Sequence, residues 1–118
     1  MTMNNREKGS SYEQQAASFF ENMGCEILAR NYRRKTGEID LIVRDGNTCV
    51  FVEVKYRKNL RKGYPEAAVT AQKQRRIIRT AQWFLAEHGL PESTPCRFDV
   101  ISILDGEIRQ IRNAFGGF

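Results

Sequence analysis

The chain has 118 residues, 41% of them hydrophobic and 28% charged, a composition that fits one globular domain long enough to bury a core. Its three cysteines, Cys25, Cys49 and Cys96, are odd in number, widely spaced and without a C-x-x-C pair, which argues against a disulfide framework and against a zinc site. No segment approaches the ~20 apolar residues of a membrane span and the opening MTMNNREKGSS lacks a signal-peptide core, so no membrane association and a reduced, cytoplasmic setting are expected.

The net charge of +5 is unevenly spread. Residues 30–79 carry 14 Lys or Arg against 5 Asp or Glu, a local +9, while the remainder carries −4. Such a field suits a polyanion such as nucleic acid, although a run of charge is more often a solvated surface.

In chain order, residues 1–9 are expected to be a flexible tail. Ser10 and Ser11 then open SYEQQAASFFENMG, in which Tyr12, Ala16, Phe19, Phe20 and Met23 recur at helical spacing before Gly24 ends the pattern. CEILARNYRR reads as a strand leading to a turn near residues 35–37. GEIDLIVRDGNTCVFVEVKYR, residues 37–57, reads as a β-hairpin, followed by an exposed, mobile basic connector, RKNLRKGYPE. A second helix over residues 70–88 has Ile77, Ile78, Ala81, Phe84 and Leu85 on its apolar side, with Gly89 and Pro91 closing it. CRFDVISIL is a strand, Asp105 and Gly106 a turn, and EIRQIR a final strand. The expected fold class is α/β, a mixed β-sheet flanked by helices.

The hairpin carries the anomaly. Alternation puts Ile39, Leu41 and Val43 on one face of its first strand, with Glu38, Asp40 and Ile42 on the other; Val50, Val52 and Val54 similarly oppose Phe51, Glu53 and Lys55. Matching the apolar faces requires partner numbers with an odd sum, which a turn at Gly46 and Asn47 or one at Asp45 and Gly46 satisfies. Either register gathers Glu38, Asp40, Glu53 and Lys55 on one face. With the first turn Asp40 lies opposite Glu53, their Cβ atoms about 5 Å apart. Two ionised carboxylates at around 4 Å repel by ~4 kcal/mol at an effective dielectric near 20, whereas a cross-strand pair with Lys55 returns roughly 0.2–1 kcal/mol. That imbalance favours a bound cation, and an oxygen-only donor set suits Mg²⁺ or Mn²⁺ rather than Zn²⁺. The bland alternative is a polar sheet face carrying a Glu-Lys pair.

Gly37-Glu38-Ile39-Asp40 with Glu53-Val54-Lys55 resembles the D...E-x-K signature of the restriction-endonuclease-like, or PD-(D/E)XK, nucleases, which include archaeal Holliday-junction resolvases. Ile39 stands where Pro often precedes the Asp in that superfamily. Over residues 10–103 the chain is similar to the YraN-like family of small bacterial proteins, through Arg30-Asn31-Tyr32-Arg33, residues 37–42, residues 51–57, Ala68-Val69, Lys73 with Arg76, and residues 97–100. The resemblance implies a restriction-endonuclease-like αβββαβ core and a metal-dependent endonuclease acting on DNA, with branched DNA a candidate substrate and a homodimer a candidate assembly. It implies Asp40, Glu53, the Val54 carbonyl and Glu13 as metal ligands, and Lys55 beside Asp40 and Glu53 as catalytic. Glu13 has an equal alternative reading, since Ser10-x-x-Glu13 is also a capping box. Glu38 is either an outer-sphere partner of the metal site or an ion-pair partner of Lys55, and Lys73 lies near the same side.

Candidate nucleic-acid contacts are Arg33, Arg34, Arg57, Lys58, Arg61, Lys62, Arg76 and Arg79. Arg97 and Asp99 share a strand face and read as a structural ion pair. Trp83, Tyr32 and Tyr64 are possible base-stacking residues, with ordinary packing the default. The alternatives to a nuclease are a nucleic-acid-binding module of the same fold without turnover and a protein-binding adaptor.

Overall fold

The first helix, α1 (Asn5–Asn22), turns Ala16, Ala17 and Phe20 to the interior, where all three are inaccessible to solvent. The structure, a computed structural model, describes residues 5–116. The helix stops at Gly24, whose φ of 86° suits only a residue without a Cβ. There the Cys25 N–H donates to the Phe20 carbonyl at 3.0 Å and the Gly24 N–H to that of Glu21 at 2.9 Å. Because α1 starts at Asn5, Ser10 lies within the helix and does not occupy its N-cap, so the capping-box reading of Glu13 fails. Residues 5–9 of the expected flexible tail are helical, and residues 1–4 lie outside the described residues.

Five strands follow: β1 (Glu26–Arg34), β2 (Gly37–Asp45), β3 (Thr48–Arg57), β4 (Cys96–Leu104) and β5 (Glu107–Phe115). They form one sheet in that order, antiparallel throughout except where β3 runs parallel to β4. The parallel pair requires a long crossover. It is supplied by residues 58–64, a 3₁₀ turn at Pro65–Ala68 and the second helix, α2 (Ala71–Glu87). Residues 58–64 are exposed, as expected of the basic connector, but the 3₁₀ turn buries Pro65 and is tied to β4 by Ser102 Oγ donating to Glu66 Oε1 at 2.9 Å. Thr70 caps α2, its Oγ1 accepting the Lys73 N–H at 3.3 Å.

Each face of the sheet is covered by one helix. On the α1 side, Ala16, Ala17 and Phe20 join Leu41, Val43, Val50, Val52, Val54, Ile101 and Ile103. On the α2 side, Ile77, Ala81, Phe84 and Leu85 join Tyr32, Ile39, Ile42, Phe51, Phe98 and Val100. Phe84 meets Tyr32 and Phe51 edge-on, with ring centres 5.3 and 6.0 Å apart, so its truncation to Ala is worth ~3–5 kcal/mol. This is the α/β fold expected, a five-stranded mixed sheet flanked by helices and consistent with a restriction-endonuclease-like core. Among the described residues no helix is long and apolar enough to cross a membrane.

The β2–β3 register pairs Leu41 with Val52, Val43 with Val50 and Asp45 with Thr48, so Gly46 and Asn47 form the turn. One expectation is overturned. Ile39 does not share a face with Leu41 and Val43 but crosses to the α2 side beside Ile42. The β1–β2 ladder omits Asn31 and Asp40, and Asn31 has a φ of 50°. An Asn in the left-handed region on β1 thus coincides with the point where both strands exchange faces, and Asp40 sits at that point.

Candidate metal and phosphodiester site

Asp40 is placed by the interruption of the sheet. The β2–β3 ladder ends at Leu41 and Val52, and beyond it Asp40 Oδ2 accepts the Val54 N–H at 2.8 Å. A side-chain carboxylate has replaced the backbone acceptor that a continued ladder would supply. The N–H and carbonyl of one strand residue project to the same edge, so the Val54 carbonyl also lies on the Asp40 side of β3.

Asp40 borders two hollows. One, of about 250 Å³ on the α2 side, is lined by Gly37, Glu38, Asp40, Glu53, Lys73, Arg76 and Ile77. The other, of about 230 Å³ on the α1 side, is lined by Glu13, Gln14, Arg30, Asn31, Asp40 and Leu41. Glu53 therefore approaches Asp40 from the α2 side and Glu13 from the α1 side. With its nitrogen turned toward Glu13, the Asn31 amide donates to Oε1 at 3.3 Å and Oε2 at 3.1 Å. Among the described residues no three His, Cys, Asp or Glu side chains converge into a ready-made metal cage. The donor set here is two half-buried carboxylates with an adjacent strand carbonyl. That fits Mg²⁺ or Mn²⁺, which keep several waters and complete their shell with substrate phosphate oxygens.

Burial pushes the Asp40 carboxyl up to about 7, and repulsion from Glu53 and Glu13 adds to it, against the opposing Val54 hydrogen bond and Lys55 charge. Burial also raises Glu53, although Lys55 and Lys73 draw it back. Lys55 Nζ lies 3.2 Å from Glu53 Oε1. Burial works to lower Lys55, but Glu53, hydrogen bonding with Lys73 and Asp40 outweigh it, so the ammonium is held above its ordinary range. Lys73 is lowered, first by its hydrogen bond and charge repulsion with Lys55 and then by burial. Two carboxylates and two lysines with opposed protonation tendencies are thus brought into one cluster.

Asp99 provides the internal comparison. It too sits at a break in a ladder, between β4 and β5, and accepts a backbone N–H, that of Asn113 at 2.9 Å. But Asp99 also accepts from Arg97 Nε at 3.1 and 3.2 Å and from Gln110 Nε2 at 3.0 Å, and Arg97 reaches Asp45 at 2.9 Å. Its charge is neutralised and its oxygens are fully engaged, so Arg97 and Asp99 form the structural pair expected. Among the described residues Asp40 has one hydrogen bond, from the Val54 N–H, and it faces another carboxylate.

The remaining expected residues divide. Glu38 lines the α2-side hollow but pairs with Arg33 at 3.3 Å; the alternative pairing with Lys55 does not form, because Lys55 is engaged by Glu53. Arg34 is tied across to α2, its Nε donating to Glu87 Oε1 at 2.7 Å and its guanidinium lying 4.3 Å from the Tyr32 ring centre, so a phosphate contact there must displace that pair. Arg57 is half-buried: its Nη1 donates to the Tyr56 carbonyl at 3.1 Å and its Nε is a buried donor with no partner among the described residues. Lys58, Arg61, Lys62, Arg76 and Arg79 are exposed, and Arg76 also walls the carboxylate hollow. Tyr32 is core, whereas Trp83 and Tyr64 are 53% and 50% exposed. Asn31 was not singled out as a site residue in the sequence. Its signal was an Asn, a residue tolerant of positive φ, in the middle of a strand.

Comparison with known proteins now adds a relationship. The profile described as "Uncharacterised protein family UPF0102" matches residues 12–103. The chain belongs to the UPF0102 family. It is 53% identical to a UPF0102 protein of Lachnoclostridium phytofermentans over 98% of both chains. It is 42% identical to one of Klebsiella pneumoniae, over 94% of this chain and 88% of the relative. With the UPF0102 protein YraN of Escherichia coli it shares 40% identity over 93% of this chain and 85% of that protein. Membership in this family was the nearer of the two resemblances carried by the sequence motifs.

Proposed function

We propose that this UPF0102 protein is a metal-dependent endonuclease of the restriction-endonuclease-like superfamily, hydrolysing phosphodiester bonds in DNA, with Mg²⁺ or Mn²⁺ as its cofactor. The observation that carries the reading is the Asp40–Glu53 pair: two half-buried carboxylates at the end of a strand ladder, one with its carboxyl pushed up to about 7, beside the Lys55 ammonium 3.2 Å from Glu53. A fold that needed only a polar surface would gain nothing by burying like charges together.

In this reading Asp40, Glu53 and the Val54 carbonyl hold the cation, and the Val54 N–H fixes which Asp40 oxygen is left for it. A bound divalent cation supplies Lewis-acid polarisation of a phosphoryl oxygen and a more acidic water. Lys55, kept as an ammonium, places a fixed positive charge where charge gathers on the scissile phosphate. Lys73 lines the same hollow and helps to draw Glu53 toward its ionised, cation-binding form. Arg76 and the exposed Lys58, Arg61 and Lys62 contribute the sequence-independent attraction for phosphate. Glu13, held by Asn31, biases Asp40 from the far side.

The test is single-turnover cleavage of linear, flapped and four-way DNA with Mg²⁺ and Mn²⁺, run beside binding on the same samples. Cleavage that requires the cation and is lost in Asp40→Asn and Lys55→Ala supports the reading. Reproducible inactivity with retained, salt-sensitive binding assigns a nucleic-acid-binding module of the same fold.

A further inference from the structure

The outer face of α2 carries a feature that extends beyond the carboxylate site. Lys73, Arg76, Arg79 and Trp83 follow one another at intervals of three or four residues and are all exposed, so they form one stripe along the helix. Its first two members line the carboxylate hollow. At 1.5 Å per residue Trp83 lies about 15 Å further along. Beside the indole is a further hollow, of about 380 Å³, lined by Thr36, Arg79, Gln82, Trp83 and Ala86.

This hollow has a fixed floor and directional polar groups. Thr80 Oγ1 donates to the Arg76 carbonyl at 2.8 Å and lies 2.7 Å from Thr36 Oγ1. Since the Thr80 proton is already committed, Thr36 must donate to Thr80, which leaves the Thr36 oxygen as an acceptor. The β1–β2 turn is clamped against α2 at Gly37: a Cβ there would come within 3.3 Å of both Arg76 Cβ and Thr80 Oγ1, and its φ of 152° also disfavours a side chain. Gln82 offers amide donor and acceptor, and Trp83 offers an aromatic face 53% exposed to water.

We propose that the Trp83 hollow is a nucleobase subsite, taking an unpaired base of the strand that leaves the carboxylate site along the Arg76–Arg79 stripe. The inference rests on the proposed function and narrows its substrate to nucleic acid with a single-stranded segment beside the scissile phosphate. Charge complementarity selects the occupant: Arg75, Arg76 and Arg79 have no ion pair among the described residues, so the helix face around the indole is cationic. A polyanion bearing aromatic rings meets both halves of that surface, with phosphate on the guanidinium groups and a base on the indole. Bases within a duplex are already stacked and present no free face. The span from Lys73 to Trp83 corresponds to about four nucleotides at the 3.4 Å stacked rise, and fewer when the strand is extended.

Trp83 is the only tryptophan in the chain, so its fluorescence reports the subsite directly. The experiment titrates the full chain, in EDTA to prevent cleavage, with a single-stranded 20-mer, a blunt duplex and a flapped duplex. DNA and RNA versions are both used, and the anisotropy of the labelled strand is followed in parallel. Single-stranded and flapped oligonucleotides quench Trp83 and blunt duplex leaves it nearly unchanged. Trp83→Leu weakens single-strand binding roughly fivefold to 150-fold, the range for loss of one base–aromatic stack, and leaves duplex binding alone. Trp83→Phe restores most of the loss, and Gln82→Ala, at an exposed position that leaves the fold intact, gives a smaller effect in the same direction. Oligonucleotide binding seen by anisotropy with Trp83 unquenched and Trp83→Leu unaffected overturns the subsite and leaves the proposed function standing. Absence of anisotropy change with every nucleic acid, in EDTA and again with Mg²⁺ in its place, overturns the proposed function and the subsite with it. Quenching by a polyglutamate peptide but by no oligonucleotide assigns the hollow to an acidic protein partner and overturns the inference.

Discussion

Asp40 Oδ2 accepts the Val54 N–H at 2.8 Å just past the last paired residues of the β2–β3 ladder, so one hydrogen bond both ends the strand pairing and orients the carboxylate. The Asp40 carboxylate is half-buried and close to Glu53, which sets a testable cost. Its carboxyl is raised from 3.8 to about 7 on folding, so the folded protein binds more protons than the unfolded chain between those values. The metal-free protein therefore loses stability as pH rises through that window, and the full penalty is present above about pH 7. Asp40→Asn removes the charge and can keep the Val54 bond. In EDTA at pH 8 it should be more stable than wild type by ~1–2 kcal/mol, with the gap closing toward pH 4. Urea denaturation at the two pH values measures this, and a variant equally unstable at both would sink the idea.

A divalent cation competes with that proton. Mn²⁺ binding should strengthen as pH rises through about 7 and should release a proton from Asp40. Calorimetry in two buffers of different ionisation enthalpy counts the proton, and paramagnetic broadening locates the ion. Broadening that spares the β2–β3 hairpin, or that is unchanged in Asp40→Ala, contradicts the metal site.

Lys55 is paired with Glu53 and kept charged, so its contribution should appear in chemistry and not in affinity. Lys55→Ala should retain DNA binding within about threefold while single-turnover cleavage falls by 10²-fold or more, the scale of losing one group aimed at transition-state charge. Lys55→Arg should rescue poorly, because a planar fork cannot replace a compact ammonium at a fixed distance. Cleavage surviving in both Lys55→Ala and Asp40→Asn would identify a contaminating nuclease.

The exposed connector supplies the salt-dependent part of binding. Replacing Lys58, Arg61 and Lys62 with Gln should lower DNA affinity and reduce the slope of log affinity against log salt by up to about 3, while stability stays within ~0.5 kcal/mol of wild type. Arg57 should behave differently, because this last residue of β3 is half-buried and removing it also removes packing. An unchanged salt slope would favour a surface that binds protein.

Most of this architecture was legible because the period of the apolar residues and the turn residues agreed. Gly24 and Gly89 marked the helix ends, Thr70 the start of α2, and Gly46-Asn47 was one of two turns compatible with the hairpin pattern. The alternation of β3 also holds, with Val50, Val52 and Val54 on the α1 side and Phe51 on the other. Strict alternation failed on β2 at Ile39, since period-two reasoning assumes an unbroken ladder and here Asp40 substitutes for it. The split of Glu13 and Glu53 between opposite faces of the sheet was likewise hidden, because it depends on which helix covers which face. The beginning of α1 was misplaced since a Ser-x-x-Glu pattern inside a helix is indistinguishable, in one sequence, from a cap at its start.

Asn31 should control that exchange of faces. Its φ of 50° lies where β-branched residues are strongly disfavoured, and its amide reaches Glu13 at 3.1 and 3.3 Å, so backbone strain and tether are separable. Asn31→Val should cost ~1–3 kcal/mol and disturb the Asp40–Val54 hydrogen bond. Asn31→Gly accepts the backbone angle without a side chain and should recover most of that stability while leaving Glu13 untethered. The Val54 amide proton reports the bond directly: its chemical shift should stay near wild type in Asn31→Gly and move in Asn31→Val. If Asn31→Val were as stable as wild type with the Val54 amide unmoved, the bend in β1 would not be what sets Asp40 at the junction of the two hollows. If both variants, which alike lack the amide, kept the Val54 shift yet lowered the Asp40 pKa, the tether to Glu13 would be shown to act on Asp40 by charge rather than by position.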